Sequence, residues 1–338
     1  MKLSGDTQAT VIGRPFAQPI VVQLFDAAGR PISGATVTFA VTNGTAVLSA
    51  NSAVTNANGQ AQVSVTAGST AGPITISVNA ITRAVSFSLS AVPPGPIISR
   101  VSNAGSFVDG LVPCGLATIF GTNIAPNLNG SVTGNSFVGP YPTRLLNIQV
   151  DIAGRPAPIV SVSRINNEEQ VTIQAPCELT AGPATLRMTI GEGSGTVAVR
   201  VLPVQPAVFE TTDSANRKVA VIVRPNGTYM TLENPIVRGE RVIGFFTGLG
   251  QTTIPSATNN PGAFNNSSQV AAQIVVGVNN EGVDFAPAIM APGLVGIYII
   301  PFDVPEATTP GTYRPFSIGA IGPDTVYVPS NASAIHIR

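Results

Sequence analysis

Glycine and proline punctuate this chain so often that few helices could survive in it. Its 338 residues include 34 Gly and 29 Pro, and both destabilise a helix interior. Between them run short stretches rich in Val, Ile and Thr, such as "QPIVVQLFD", "ATVTFAVT" and "AVSFSLSAV". Alternating apolar and polar residues bounded by turn formers read as half-buried strands. "TNANGQAQVSV" supplies a turn at Asn58-Gly59, where positive φ is available, and then a strand. The expected class is all-β.

Composition narrows the function. Hydrophobic residues are 44% of the chain, enough for real cores, and the length suits two or three domains. Lys+Arg and Asp+Glu are each 17, so the net charge is zero. A nucleic-acid binder needs a basic footprint, and so does a protein held to anionic lipid by charge. Neither partner is expected, and no apolar run is long enough to span a bilayer. "MKLSGDTQ" has no apolar signal-peptide core, so Met1 is expected to begin an excised piece of a longer chain.

Residues 1–92 carry about seven strand signals at the spacing of an immunoglobulin-like sandwich. "PIVVQLFDAAGRPISGATVTFAV…TNANGQAQVSV" resembles a bacterial Ig-like domain of the invasin/intimin type. "AVPPGP" (91–96) then reads as a stiff connector.

Residues 97–338 contain an internal repeat. "VPCGLATIFGTNIA" (112–125) aligns with "VRGERVIGFFTGLG" (237–250), and "PCEL" (176–179) with "PFDV" (301–304), at one common offset. This gives two strand-rich copies, 97–203 and 204–338. Each resembles the IPT/TIG class of Ig-like domains. Together, through "ISRVSNAGSF…LVPCGLATIFGTNIAP…VTIQAPCEL…GERVIGFFTGLGQ…YIIPFDVP", they resemble the C-terminal domain family of secreted proteins from Solibacter-type Acidobacteria. That resemblance implies location and architecture, not chemistry. The full expectation is three tandem immunoglobulin-like β-sandwiches.

Cys114 and Cys177 are the only cysteines. Both are present in the first copy, and the alignment replaces them by Gly239 and Phe302 in the second. In an Ig sheet of order A-B-E-D, the start of strand B lies beside the end of strand E. Cys114 opens the second strand and Cys177 closes a later one, so a disulfide within one sheet is expected. Such a bridge implies an oxidising compartment. The alternative is two free buried thiols. Two cysteines without C-x-x-C spacing, and one histidine, His336, cannot supply four zinc ligands. A cysteine nucleophile would need a base, and His336 reads better as a strand-face residue.

Other chemistry is sparse. There is no G-x-S-x-G elbow, P-loop or dinucleotide fingerprint. "GEGSGT" (191–196) reads as a hairpin turn. Glu168-Glu169 sit at a turn, and Asp303 and Glu306 read as strand-end surface charge. Asn279, Asn280, Glu281 and Asp284 form the best calcium candidate, yet they lack the EF-hand register and suit a solvated turn better. Lys218 is a conceivable isopeptide donor. The long loops 126–144 and 254–269 are candidate binding loops, with Phe137 and Tyr141 as candidate contact residues on the first.

The function expected is a non-catalytic extracellular structural or adhesion module of a larger secreted or cell-surface protein. It would have no cofactor and no metal, and would meet an unknown surface or matrix ligand, protein or glycan. Self-association through strand edges is a further possibility. The alternatives are a carbohydrate-binding accessory region, a hydrolase on an Ig-like scaffold, and a self-assembling surface subunit.

Overall fold

The computed structural model describes residues 1–80, 83–135, 140–265 and 268–338. These residues form strands and turns, with no helix among them. The chain divides into two compact units, Met1–Gly95 and Pro96–Arg338, so the first boundary falls inside the proline-rich connector.

The first unit is built on β1 (Ile20–Gln23), β2 (Thr36–Asn43), β3 (Gln60–Val63), β4 (Gly72–Ala80) and β5 (Arg83–Val92). One sheet runs Ala9–Val11, β5, β4, β2, Ser52–Val54; the facing sheet runs Lys2–Ser4, β1, β3. Period-two alternation turns Phe39, Ile74, Ile76, Val78, Phe87 and Leu89 into the core between them. Two turns close one end. The Asp26 carboxylate accepts N–H bonds from Ala28 and Arg30, and the Asn56 side chain accepts those of Asn58 and Gln60. Gly59 has φ +72° and lies so close to Leu24 O that a Cβ would stand 2.5 Å from it, so only glycine fits.

The second unit holds two sandwich cores. The first repeat has β6 (Ile97–Asn103), β7 (Leu116–Thr122), β8 (Ile148–Ile152), β9 (Ile159–Ile165), β10 (Glu168–Gln174), β11 (Gly182–Ile190) and β12 (Gly193–Val201). One sheet contains the order β6-β7-β10-β9, which is A-B-E-D, and the other contains β8-β11-β12. The second repeat has β13 (Ala207–Val208), β14 (Arg241–Thr247), β15 (Gln273–Val278), β16 (Ile289–Met290), β17 (Tyr298–Asp303), β18 (Gly311–Ile321) and β19 (Ser333–Ile337). Its sheets repeat the plan: β13-β14-β17-β16, and β15-β18 with β19 on β18.

Hydrogen bonds fix the correspondence between copies and correct part of the sequence alignment. Gly115 N donates to Val112 O as Glu240 N does to Val237 O, and Cys114 N donates to Ala175 O as Gly239 N does to Val304 O. Leu179 N donates to Pro176 O as Thr308 N does to Pro305 O. The counterpart of Cys114 is therefore Gly239, as the alignment has it. The counterpart of Cys177 is Glu306, not Phe302. The physical reason is chain length: Arg241 faces Asp303 as Leu116 faces Gln174, so the strand pairing is the same, but the paired residues are 62 apart in the second copy and 58 in the first, and a single offset cannot align both segments. Phe302 is a core residue stacked on Phe316, with ring centroids 5.2 Å apart.

Candidate functional site: the disulfide-braced junction

Cys114 and Cys177 are bonded to each other, with Cα atoms 4.2 Å apart, and no free cysteine remains. The antiparallel pairing of β7 and β10 brings the start of one strand beside the end of the other. Cys114 sits in a left-handed turn at φ +64°, and Gly239 holds the same turn in the second copy at φ +80°. Both cysteines are fully buried, and they pack into the core of the second repeat rather than the first. The bridge thus stands where the two repeats join.

The surrounding side chains lock that joint. Cys177 N donates to Thr258 Oγ1 at 2.8 Å, and Cys177 O accepts from Gln251 Nε2. Gln174, fully buried, donates to Cys114 O and accepts from Asn259 N at 2.7 Å. Asn259 in turn clasps the Tyr141 main chain: Oδ1 accepts from Tyr141 N at 2.7 Å and Nδ2 donates to Tyr141 O at 2.8 Å. The Glu178 carboxylate accepts from both the N–H and the hydroxyl of Thr258. Burial pushes that carboxyl up, but the two Thr258 bonds, the Glu178 N–H and the charge of Arg155 together hold Glu178 below the usual carboxylate range.

A second set of contacts lies beneath. Thr247 is fully buried; its hydroxyl accepts from Leu116 N at 2.8 Å and donates to Gly296 O at 2.9 Å. Gly296 has φ +74°, and a Cβ there would meet Leu116 Cδ2 at 2.3 Å. Asn103 Nδ2 donates to Gln205 O at 2.8 Å, while its Oδ1 accepts from Gly105 and Ser106. Each bond satisfies a group that would otherwise be stranded in the interior. An apolar cleft of about 640 Å³ opens alongside, lined by Pro113, Leu179, Val204, Leu249, Ile321 and Pro323 among others.

The remaining sequence candidates are dispersed. Tyr141 is only 8% exposed, so its ring is not presented to solvent as a binding-loop residue requires; the Asn259 clasp draws it in. Phe137 lies outside the described residues. Loop 254–269, through Thr258 and Asn259, packs on the first repeat. Asn279 and Asn280, both at positive φ, form the two-residue turn of a hairpin that pairs Val278 with Glu281. Among the described residues no group of His, Cys, Asp or Glu could hold a metal ion. "GEGSGT" holds the two-residue turn Gly191-Glu192 that joins β11 to β12, with Ile190 opposite Gly193, and the first residues of β12. Glu169 Oε2 accepts from Ile124 and Ala125, so it caps a loop. Lys218 pairs loosely with Glu210 at 3.9 Å, and Asp303 with Arg241 at 3.8 Å.

His336 is fully buried in a polar cluster on the second repeat. Its Nε2 lies 3.5 Å from Asp213 Oδ2, and the Tyr313 hydroxyl donates to that same oxygen at 2.8 Å. Burial lowers the His336 pKa against the opposing pull of Asp213. Its ring neighbours are Tyr313 and Asp213, and both cysteines are committed to each other, so the chain does not assemble a Cys–His pair.

Thr247, Gly296, Asn103, Gln174 and Asn259 were invisible as a set in the sequence. The only signal was the small-residue run "FTGLG", where Gly248 and Gly250 lie against Gln205 O and Pro203 O.

No curated protein matches this chain. Among solved structures, the D0-D1 domain of intimin is 19% identical, covering 58% of this chain and 95% of that one, with a TM-score of 0.24. Invasin, titled a bacterial integrin-binding protein, is 14% identical; the match covers 98% of this chain and 59% of invasin, with a TM-score of 0.25. SGBP-B of the Bacteroides ovatus mixed-linkage glucan utilization locus, solved with a mixed-linkage heptasaccharide, is 10% identical over 98% of this chain and 65% of that one, with a TM-score of 0.30. Within the first unit, residues 17–90 match the family described as bacterial Ig-like domain (group 1).

Proposed function

We propose that this chain is a non-catalytic extracellular module that spaces, displays or anchors a larger secreted or cell-surface bacterial protein. The observation that carries the reading is the junction itself. A buried disulfide of the first repeat packs into the core of the second, and Thr258 and Gln251 of that repeat hold the Cys177 main chain, within one compact unit of two sandwiches. A bridge of this kind is formed and kept in an oxidising compartment. The bacterial Ig-like match over residues 17–90 supports the same location, as does the resemblance of 97–338 to secreted-protein C-terminal domains. The Thr247 hydroxyl and the Gln174 side chain are spent on main-chain groups of the junction, which suits a mechanical role better than turnover.

A saccharide-binding role is the second reading. It now rests on Phe264, 84% exposed, and Ile254, 65% exposed, both on loop 254–269. Exposed rings are the usual platform for apolar sugar faces. The experiment is a paired screen of the full chain against a glycan array and immobilised extracellular matrix proteins. Matrix binding unaffected by Phe264→Ala supports the adhesion reading. Saccharide binding abolished by Phe264→Ala moves the assignment to the second reading, and turnover of generic ester or glycoside substrates overturns both.

A further inference from the structure

One sheet of the second repeat runs Glu281–Gly282, β15, β18, Tyr327–Pro329. Its inner face sends Val276, Val278, Phe316 and Ile318 into the core. Alternation then puts Gln273, Val275, Ser317, Gly319, Ile321 and Tyr327 on the outer face. Gly319 is nevertheless buried, because the Tyr327 ring lies across it. A Cβ at Gly319 would stand 2.2 Å from the ring's Cε2 and 2.4 Å from Cζ and Oη. The strand pairing explains this reach: Tyr327 stands opposite Ile321, and its ring extends to the diagonal neighbour Gly319. Only glycine leaves room there. The ring is seated on the sheet, yet Tyr327 is 54% exposed.

Charge sets this face apart from its counterpart. In the first repeat, β8 and β11 place Asp151 opposite Arg187 on the outer side. In the second, none of Gln273, Val275, Ser317, Ile321, Tyr327 and Pro329 is charged. Val275, opposite Gly319, is 45% exposed. Gln273, opposite Ile321, and Ser317, opposite Gly277, present an exposed amide and an exposed hydroxyl one register step away on either side. The apolar cleft of about 640 Å³ opens at the same end of the sheet, since Gln273, Ile321 and Thr325 all line it. The ring therefore stands at the mouth of a concavity, with uncharged hydrogen-bonding groups around it.

We propose that the Tyr327 ring, seated on Gly319, is the platform of a binding site for a neutral saccharide. One sugar ring stacks its C–H face on the free side of Tyr327. The Gln273 amide and the Ser317 hydroxyl exchange hydrogen bonds with its hydroxyls, and the saccharide chain continues over Ile321 toward the cleft. A ring already held in place by the strand beneath it loses little freedom on binding. With no charge on the face, an acidic sugar would give up its hydration without a partner, so the neutral class is selected. The site rests on the saccharide reading above and gives it a platform other than Phe264.

Isothermal titration calorimetry of the full chain with neutral hexasaccharides of glucose, xylose and mannose tests it, with hexagalacturonate as the charged comparator. The expected result is binding of at least one neutral hexasaccharide and none of hexagalacturonate. Tyr327→Ala should weaken that binding at least about tenfold, and Tyr327→Phe should hold it within about threefold, because the stacked ring carries the contact. Gly319→Ala, checked for an unchanged β-rich circular dichroism spectrum, should weaken it too by pushing the ring off its seat. Binding that survives Tyr327→Ala overturns the proposal, and if Phe264→Ala removes that binding the saccharide reading still stands. Preference for hexagalacturonate also overturns the proposal. Failure of every neutral hexasaccharide to bind overturns both the site and the saccharide reading.

Discussion

The same turn occurs twice in the second unit, once sealed and once open to water. In the first repeat it carries Cys114 against Cys177, buried under the next repeat; in the second it carries Gly239 against Glu306, both exposed. The main-chain bonds are shared, with Cys114 N to Ala175 O matched by Gly239 N to Val304 O. What differs is what lies on top. The turn in the first repeat receives Thr258, Asn259 and Gln251 from its neighbour, so any loosening there would open the joint. A staple has a purpose at that end. At the solvent-facing end of the second repeat, fraying costs no such contact, and a glycine suffices.

Removing the staple should give the largest effect. Cys114→Ala/Cys177→Ala is expected to lose up to about 4 kcal/mol of stability, the chain-entropy value for a loop of this length. Denaturant titration of the second unit's transition measures it, and reductant should reproduce the shift in the wild type. Thiol titration of unfolded, unreduced protein should find no free cysteine.

The next test contrasts Thr247 with its counterpart Thr122. Thr247→Val strands both Leu116 N and Gly296 O in the interior and should cost about 2 kcal/mol. Thr122 is exposed, so Thr122→Val should stay within about 0.5 kcal/mol of wild type. Equal costs would mean that the joint contributes no more than a surface strand end.

Transplanting the staple is a smaller and sharper test. A Cβ at Gly239 would stand 3.2 Å from Glu306 Cγ, and φ +80° at that turn is close to the φ +64° that Cys114 adopts. Gly239→Cys/Glu306→Cys should therefore oxidise without rearrangement and show no free thiol. Its gain should be about 1 kcal/mol, because engineered bridges deliver less than loop closure allows. Building the bridge at Phe302 instead, as sequence alignment suggests, should leave two thiols and a hole beside Phe316.

That last contrast marks how far the sequence could be read. The strands, the A-B-E-D order and the cysteine pairing follow from local pattern: alternation, turn residues, and two cysteines absent together from one copy. The correct partner of Gly239 does not, because "PFDV" and "PEAT" both imitate "PCEL", and only the pairing of β14 with β17 chooses between them. The burial of Tyr141 is hidden from the sequence for a related reason. A position on a long loop carries no information about which way the ring turns until Asn259, more than a hundred residues on, is known to clasp it. The junction residues depend on which two surfaces meet, and periodicity within one strand does not encode that.

The smallest expected effect separates the repeats by pH. Only the second contains a histidine, and burial lowers the pKa of His336 from 6.5. The folded chain therefore resists a proton that the unfolded chain accepts. As pH falls past 6.5 the unfolded state binds more protons, so stability declines, and the decline levels off below the folded pKa. Above 6.5 both states are neutral at this site and the slope vanishes. The Asp213 carboxyl is held low, first by the Arg217 N–H and also by the Tyr313 hydroxyl, so it stays charged through this window and adds no slope of its own. Stability measured from about pH 7.5 to 5.5 should fall in the wild type and flatten in His336→Phe. The loss should appear first as faster amide exchange in β18 and β19, which frame the His336 and Tyr313 rings, while β7 and β10 of the first repeat keep their protection. Uniform loss across both repeats would show that the joint transmits the change, and that the two sandwiches unfold as one.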